Sequence, residues 1–128
     1  MRLAKRRMVD NGLNSILIGT NNRISRYEVD GLESLQKAVG GYIEMLRPHQ
    51  AIDSGLLKHD VILIVDEEGT FKCKEMNTIA SALFGSPLVG DILIAKERGS
   101  EIVNFKENEL KSVEKLCGKL LSAIGGYR

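Results

Sequence analysis

A chain of 128 residues, 43% hydrophobic and 27% charged, is long enough for one buried core and too short for two ordinary domains. Its 18 Lys and Arg against 17 Asp and Glu give a net charge of +1, which excludes an overall cationic nucleic-acid coat and the simplest acidic DNA-mimic surface. No apolar run reaches the roughly 18–20 residues that a membrane helix needs, and the N-terminus lacks the apolar centre of a secretory signal, so a cytoplasmic protein without a membrane partner is expected.

The opening segment carries Arg2, Lys5, Arg6 and Arg7 and no acid before Asp10; without these four, 14 basic residues face 17 acidic ones. Apolar residues are too sparse over 1–10 to pin the segment to a core, so a short helix or frayed arm is predicted, stopped by Asn11-Gly12. Ile16, Leu17 and Ile18, a Thr20-Asn21-Asn22 turn, then Ile24, Tyr27 and Val29 read as a hairpin, because asparagine tolerates the left-handed backbone of tight turns. Asp30 is placed to cap a helix, with Glu33 three residues on as in a capping box and Leu32, Leu35 and Val39 at helical spacing. Gly40-Gly41 supplies the left-handed exit. Residues 42–47 alternate two faces as a short strand does, and Pro48 ends it.

Residues 49–60 read as a long loop with room for one helical turn. Residues 61–65, VILIV, form the most apolar strand, predicted to be central and covered on both faces. A turn at 66–70 follows, with Phe71 and Cys73 alternating with Lys72 and Lys74 on a returning strand. Asn77 caps a helix through Ile79, Ala82 and Leu83, closed by Gly85 and Pro87. Another strand covers 92–95, a charged turn 96–100, and a short strand 101–103. The last element is the clearest helix: Leu110, Val113, Leu116, Cys117, Leu120, Leu121 and Ile124 recur at three and four. Phe105 and Leu110 are spaced as a hydrophobic staple and Glu109 occupies the third helical position. This order is no regular alternation of strand and helix, so the predicted class is α+β, with a mostly antiparallel sheet of about five to seven strands on two or three helices. A basic arm or short helix over 1–12 precedes a single domain over 13–128.

Several strings taken together resemble one family. They are the run from Gly31 to Glu44, with Leu35-Gln36-x-x-Val39-Gly40-Gly41-Tyr42-Ile43-Glu44 its most specific part, then Asp66-Glu67-Glu68-Gly69, Asn77, and Gly90-Asp91-Ile92-Leu93-Ile94. In this order they are similar to the domain of unknown function 3846, small proteins common in bacteriophages, plasmids and other mobile elements. The resemblance covers residues 15–95 and departs from the family at Asp66, where asparagine is frequent, and in the length of the loop over 49–60. It implies an accessory gene acting on a host pathway, and no reaction.

The residues offer few routes to chemistry. Glu44, Asp66, Glu67 and Glu68 form the densest acidic group, which a hard cation would want if they converged; a solvated turn is the plainer reading, and no metal is expected. His49 and His59 lie too far apart for a helical pair and lack a completing trio. Cys73 and Cys117 have no partner spacing, and Cys117 on an apolar stripe is inert, so reduced thiols are expected. Gly40-Gly41 follows a helix, whereas phosphate cradles precede one.

Three functions are therefore carried forward. The first is a non-enzymatic accessory protein, without a cofactor, that binds and sequesters a host protein or a small anionic ligand such as a nucleotide signal of a defence system; Arg23, Arg26, Arg47 and Asn77 are its candidate ligands if they converge on a cleft. The second is a nucleic-acid-binding protein that uses Arg2, Lys5, Arg6 and Arg7 on phosphates. The third is a metal-dependent hydrolase built on Glu44 and the acidic turn. Self-association through a sheet edge is open under each.

Overall fold

The computed structural model describes residues 2–3, 12–47 and 61–125. Its axis is strand β6 (Ile92–Arg98). Along one side of β6 runs β5 (Val61–Asp66), with β4 (Ile43–Leu46) outside it. Along the other side, Ile92, Leu93 and Ile94 pair with β2 (Leu13–Ile18), which is followed outward by β3 (Ile24–Val29). Beyond that point Lys96, Glu97 and Arg98 pair with β7 (Glu101–Val103), and β1 (Arg2–Leu3) adds to β7. Among the described residues every strand pairing is antiparallel except β1 on β7.

The sheet is buried on both faces, which explains why its middle strands read as unbroken apolar runs. Helix α1 (Leu32–Val39) covers one face, packing Leu35, Ala38 and Val39 on Ile62, Ile64, Leu93 and Ala95. Helices α2 (Thr78–Phe84) and α3 (Glu107–Gly125) cover the other. Ile79 and Leu83 of α2, with Leu110, Val113 and Cys117 of α3, meet Ile16, Ile18, Leu63, Ile92 and Ile94 there. The fold is thus α+β, a largely antiparallel sheet with three helices among the described residues, and β5 is an interior strand with all six residues buried. The start of α3 follows its sequence signals closely. Glu109 accepts the Lys106 N–H at 2.8 Å, as the acid of a capping box does, and Phe105 and Leu110 join the same apolar cluster.

Three local expectations are corrected. Asp30 does not cap α1: Gly31 holds that position without a side-chain bond, and the Ser34 hydroxyl accepts the Asp30 N–H and donates to the Gly31 carbonyl, both at 2.7 Å. Phe71 and Cys73 are not on a strand; the chain coils through 67–73, with Cys73 at φ +58° and Phe71 90% exposed. The charged turn shrinks to Gly99-Ser100, because Lys96 and Glu97 remain in β6, paired with Glu109 and Arg47. Of the opening segment, read as short helix or frayed arm, Arg2–Leu3 pair with Glu101 and Ile102, and residues 4–11 lie outside the described residues. The loop over 49–60, with His49 and His59, lies outside the described residues, as do Lys5, Arg6 and Arg7.

Candidate functional site

The turns that join β2 to β3, α1 to β4, β5 to α2 and α2 to β6 all meet at one end of the sheet, because β2 and β5 finish there and β3, β4 and β6 begin there. At its centre is the last residue of β5. The Asp66 side chain is fully buried and receives the ammonium of Lys72 at 2.8 Å and that of Lys74 at 2.7 Å on one oxygen. Its other oxygen accepts the Glu68 N–H at 2.9 Å. Burial alone would push this carboxyl up; the hydrogen bonds from Lys72, Lys74 and Glu68 outweigh it and hold the group well below the usual carboxylate range.

The same two lysines reach the end of α1. Lys74 donates to the Val39 carbonyl at 2.7 Å and Lys72 to the Gly40 carbonyl at 3.2 Å, so cations meet the negative end of the helix. Gly40 takes the left-handed conformation at φ +81°, and both it and Gly41 donate to the Gln36 carbonyl, which confirms the glycine pair as a helix stop. Gly41 has a further reason to lack a side chain: a Cβ there would lie 2.6 Å from both Asp66 Oδ1 and Lys72 Nζ.

A second set of bonds closes the neighbouring side. Asn77 is wholly buried; its oxygen accepts the Ala80 N–H at 3.0 Å, and its NH2 group donates to the Ile18 and Gly90 carbonyls, each at 2.9 Å. It caps α2 and also pins the end of β2 to the approach to β6. Asp91 accepts the Thr20 N–H at 3.0 Å, which holds the β2–β3 turn against the same segment. Outside this framework three large apolar side chains face solvent: Phe71, Tyr42 at 65% and Met76 at 54% exposed. The Tyr42 carbonyl accepts the Glu67 N–H at 2.9 Å, which ties its segment to the acidic turn.

The residues singled out from the sequence do not form one cleft. Arg23 is exposed in the β2–β3 turn at this end. Arg26, on β3, is held by Glu107 and Glu114 of α3 at 2.8 to 3.0 Å. Arg47 lies at the opposite edge of the sheet, beyond β4, and grips Glu97 at 3.0 and 2.6 Å. Asn77 is enclosed with all of its polar atoms bonded. Arg2 contributes its backbone to β1.

The acidic group is likewise divided. Glu44 pairs across the strands with Val65, on the face of α2 and α3, whereas Asp66 pairs with Ile43 and turns toward α1. Among the described residues no group of three metal-ligating side chains gathers, and no helix is long and apolar enough to cross a membrane. Cys117 is buried in the core, and its thiol is pushed up to about 12 by burial, with the nearby Glu114 charge adding to it. Sequence reasoning missed Lys72 and Lys74, whose alternation with Phe71 and Cys73 imitates a strand; only the depth of Asp66 reveals them as its partners.

Chemically this end of the sheet is an electrostatic lock. A carboxylate held so firmly ionised is a weak base and no proton donor, and Glu67 and Glu68 beside it are exposed. Each of the four strings that suggested a family reaches this end of the sheet: the run from Gly31 to Glu44 through Gly40 and Gly41, the turn from Asp66 to Gly69, Asn77, and the run from Gly90 to Ile94 through Gly90 and Asp91. No curated protein and no solved structure matches the chain. One family does, its model extending past the strings into α3: over residues 13–118 the sequence matches the Domain of unknown function (DUF3846), and the chain belongs to that family.

Proposed function

We propose that this protein works by binding: a non-enzymatic accessory protein of a phage or mobile element that sequesters a host protein through the turn-built end of its sheet. The observation that carries this reading is Phe71. A phenylalanine 90% exposed contributes nothing to the core, yet it sits on a turn whose next residues, Lys72 and Lys74, are bonded to the buried Asp66. Tyr42 and Met76 extend the apolar exposure, and aromatic side chains on a rigid support are the usual anchors of protein interfaces.

The surroundings favour a partner of defined charge. Glu67, Glu68 and Glu75 are exposed along the same segment, while its lysines turn inward to Asp66. An apolar centre with an acidic rim fits a partner surface with an apolar socket and basic margins. Of the two kinds of host component, a protein fits better than a nucleotide signal, because Arg26 and Arg47 are engaged by carboxylates and Asn77 is enclosed.

The test places a photoreactive side chain at position 71 in the full chain inside bacterial cells. The cross-linked protein is then purified and titrated by calorimetry against wild type, Phe71→Ser and Tyr42→Ser. A one-to-one complex weakened about thirtyfold or more by Phe71→Ser is expected of a hot-spot aromatic. An equally tight complex with Phe71→Ser, or no adduct with any host protein, overturns the proposal.

A further inference from the structure

Far from the lock, at the other end of β6, a second cluster is built on different elements. β6 finishes with Lys96, Glu97 and Arg98, β7 returns beside it, and Asn104, Phe105 and Lys106 lead into α3. Between them is a cavity of about 290 Å³ lined by Lys96, Arg98, Val103, Asn104, Phe105 and Lys106. Among the described residues that line it, the charged ones are the cations Lys96, Arg98 and Lys106. Lys96 is 5% exposed, and its ammonium is held by both oxygens of Glu109 at 3.0 and 2.9 Å.

Glu109 also accepts the Lys106 N–H, so this one carboxylate orients the start of α3 and the buried lysine together. Burial pushes the Glu109 carboxyl up, but the Lys106 N–H and Lys96 more than reverse that and keep it ionised. Arg98 and Lys106 are exposed at the rim. A guanidinium has five donors and can serve a ligand while keeping a protein partner. Asn104 is oriented by accepting the Asn14 N–H at 2.8 Å, which leaves its NH2 group as a further donor. Val103 and Phe105 supply the apolar part of the wall.

From this geometry we infer that the cavity between β6, β7 and the start of α3 binds a phosphate group carried on a small organic moiety, with Arg98 and Lys106 as its charged contacts. A guanidinium fork and an ammonium give a phosphate short, charge-assisted hydrogen bonds. The volume, near the lower end for small-molecule sites, is enough for a phosphate and part of the group that carries it. The phosphate can come from a free ester or from a nucleic-acid backbone, and the chemistry is shared. The site lies apart from Phe71 and does not depend on the docking surface proposed above.

Nitrogen-resolved NMR titration of the full chain with inorganic phosphate, adenosine monophosphate and a short single-stranded DNA tests it. Saturable shifts at the amides of Arg98, Asn104 and Lys106 are expected, weakened about tenfold or more in Arg98→Gln/Lys106→Gln and unchanged in Phe71→Ser. Both substituted side chains are exposed, and the amide spectrum of the double variant itself reports whether the fold is retained. A tighter response to the nucleotide assigns the phosphate to a free ester. A tighter response to DNA that falls steeply with salt assigns it to a backbone; either supports the site. No saturable shift with any of the three, or undiminished binding in the double variant, overturns it. So does inorganic phosphate binding as tightly as both others, because Val103 and Phe105 would then contribute nothing.

Discussion

The ammonium of Lys74 lies 2.7 Å from Asp66 Oδ2 and 2.7 Å from the carbonyl oxygen of Val39. One side chain therefore joins the end of β5 to the end of α1, on the face of the sheet that this helix covers. The acidic turn gains its shape from this bond and from its Lys72 counterpart, since few of its own side chains reach the core. Phe71, immediately before Lys72 in sequence, is turned outward.

Asp66→Asn separates shape from charge at this point. The amide oxygen still accepts the Glu68 N–H, but Lys72 and Lys74 lose their counter-ion beside two helix carbonyls. Removing one partner of a buried pair costs about 3–5 kcal/mol; both ammoniums keep some solvent here, so about 2–3 kcal/mol is expected. Urea unfolding measures it, and a loss within error of zero contradicts the lock.

Acid should dissolve the same bond. A carboxyl held below its ordinary value binds its proton more weakly in the folded state, so its contribution is fully present above the unfolded pKa. It is lost as pH falls through about 3.9 toward the lower folded value. Glu107, lowered chiefly by its hydrogen bond to Arg26, adds to the trend with the same sign. Stability followed from neutral pH to about pH 2 should drop more steeply in wild type than in Asp66→Asn; parallel curves contradict the assignment.

The elements legible in the sequence are those whose signals are local. VILIV at 61–65 required burial on both faces, and the stripe from Leu110 to Ile124 together with Glu109 located α3 and its first turn. The bonds that the sequence does not disclose join partners distant in the chain. Arg26 and Arg47 are visible as cations, but the acids that occupy them lie 88 and 50 residues away at Glu114 and Glu97. Lys72 and Lys74 alternate as strand residues do until the buried Asp66 draws both to one side. Asn77 announces its cap at Ala80, yet nothing local points to the carbonyls of Ile18 and Gly90. The family strings marked the right turns without disclosing the bonds that unite them.

Two glycines should respond in opposite directions. Gly41→Ala puts a Cβ within 2.6 Å of Asp66 Oδ1, which is buried and cannot withdraw without breaking its lysine bonds, so a loss of about 1–3 kcal/mol is expected. Gly118 lies inside α3 with nothing within 4 Å of an added Cβ. There alanine should stabilise the protein by about 0.5–1 kcal/mol through helix propensity. Thermal unfolding of both variants reads the contrast.

The two thiols should react in separate phases. Cys73 is exposed on the turn, and Cys117 is buried in α3 with its thiol pushed up to about 12 by burial. A colorimetric disulfide reagent at neutral pH should therefore modify one thiol promptly and the second only after denaturant is added. Prompt reaction of both would mean that α3 does not rest on the sheet as described.

Asn77 offers the sharpest separation of a helix cap from a tertiary pin. An aspartate has the oxygen that accepts the Ala80 N–H and is a good cap in its own right. It has no donors for the Ile18 and Gly90 carbonyls, which would then face a buried negative charge. If capping α2 were the whole role, Asn77→Asp would be nearly neutral and Asn77→Ala would cost about 1 kcal/mol. With the pin included, Asn77→Ala loses three buried hydrogen bonds and should cost about 3 kcal/mol, and Asn77→Asp should be at least as damaging. Lowering the pH toward about 4 should then partly restore the aspartate variant, because the protonated acid regains one donor. Equilibrium denaturation of both variants at two pH values decides between the readings: a neutral Asn77→Asp leaves Asn77 as a cap alone.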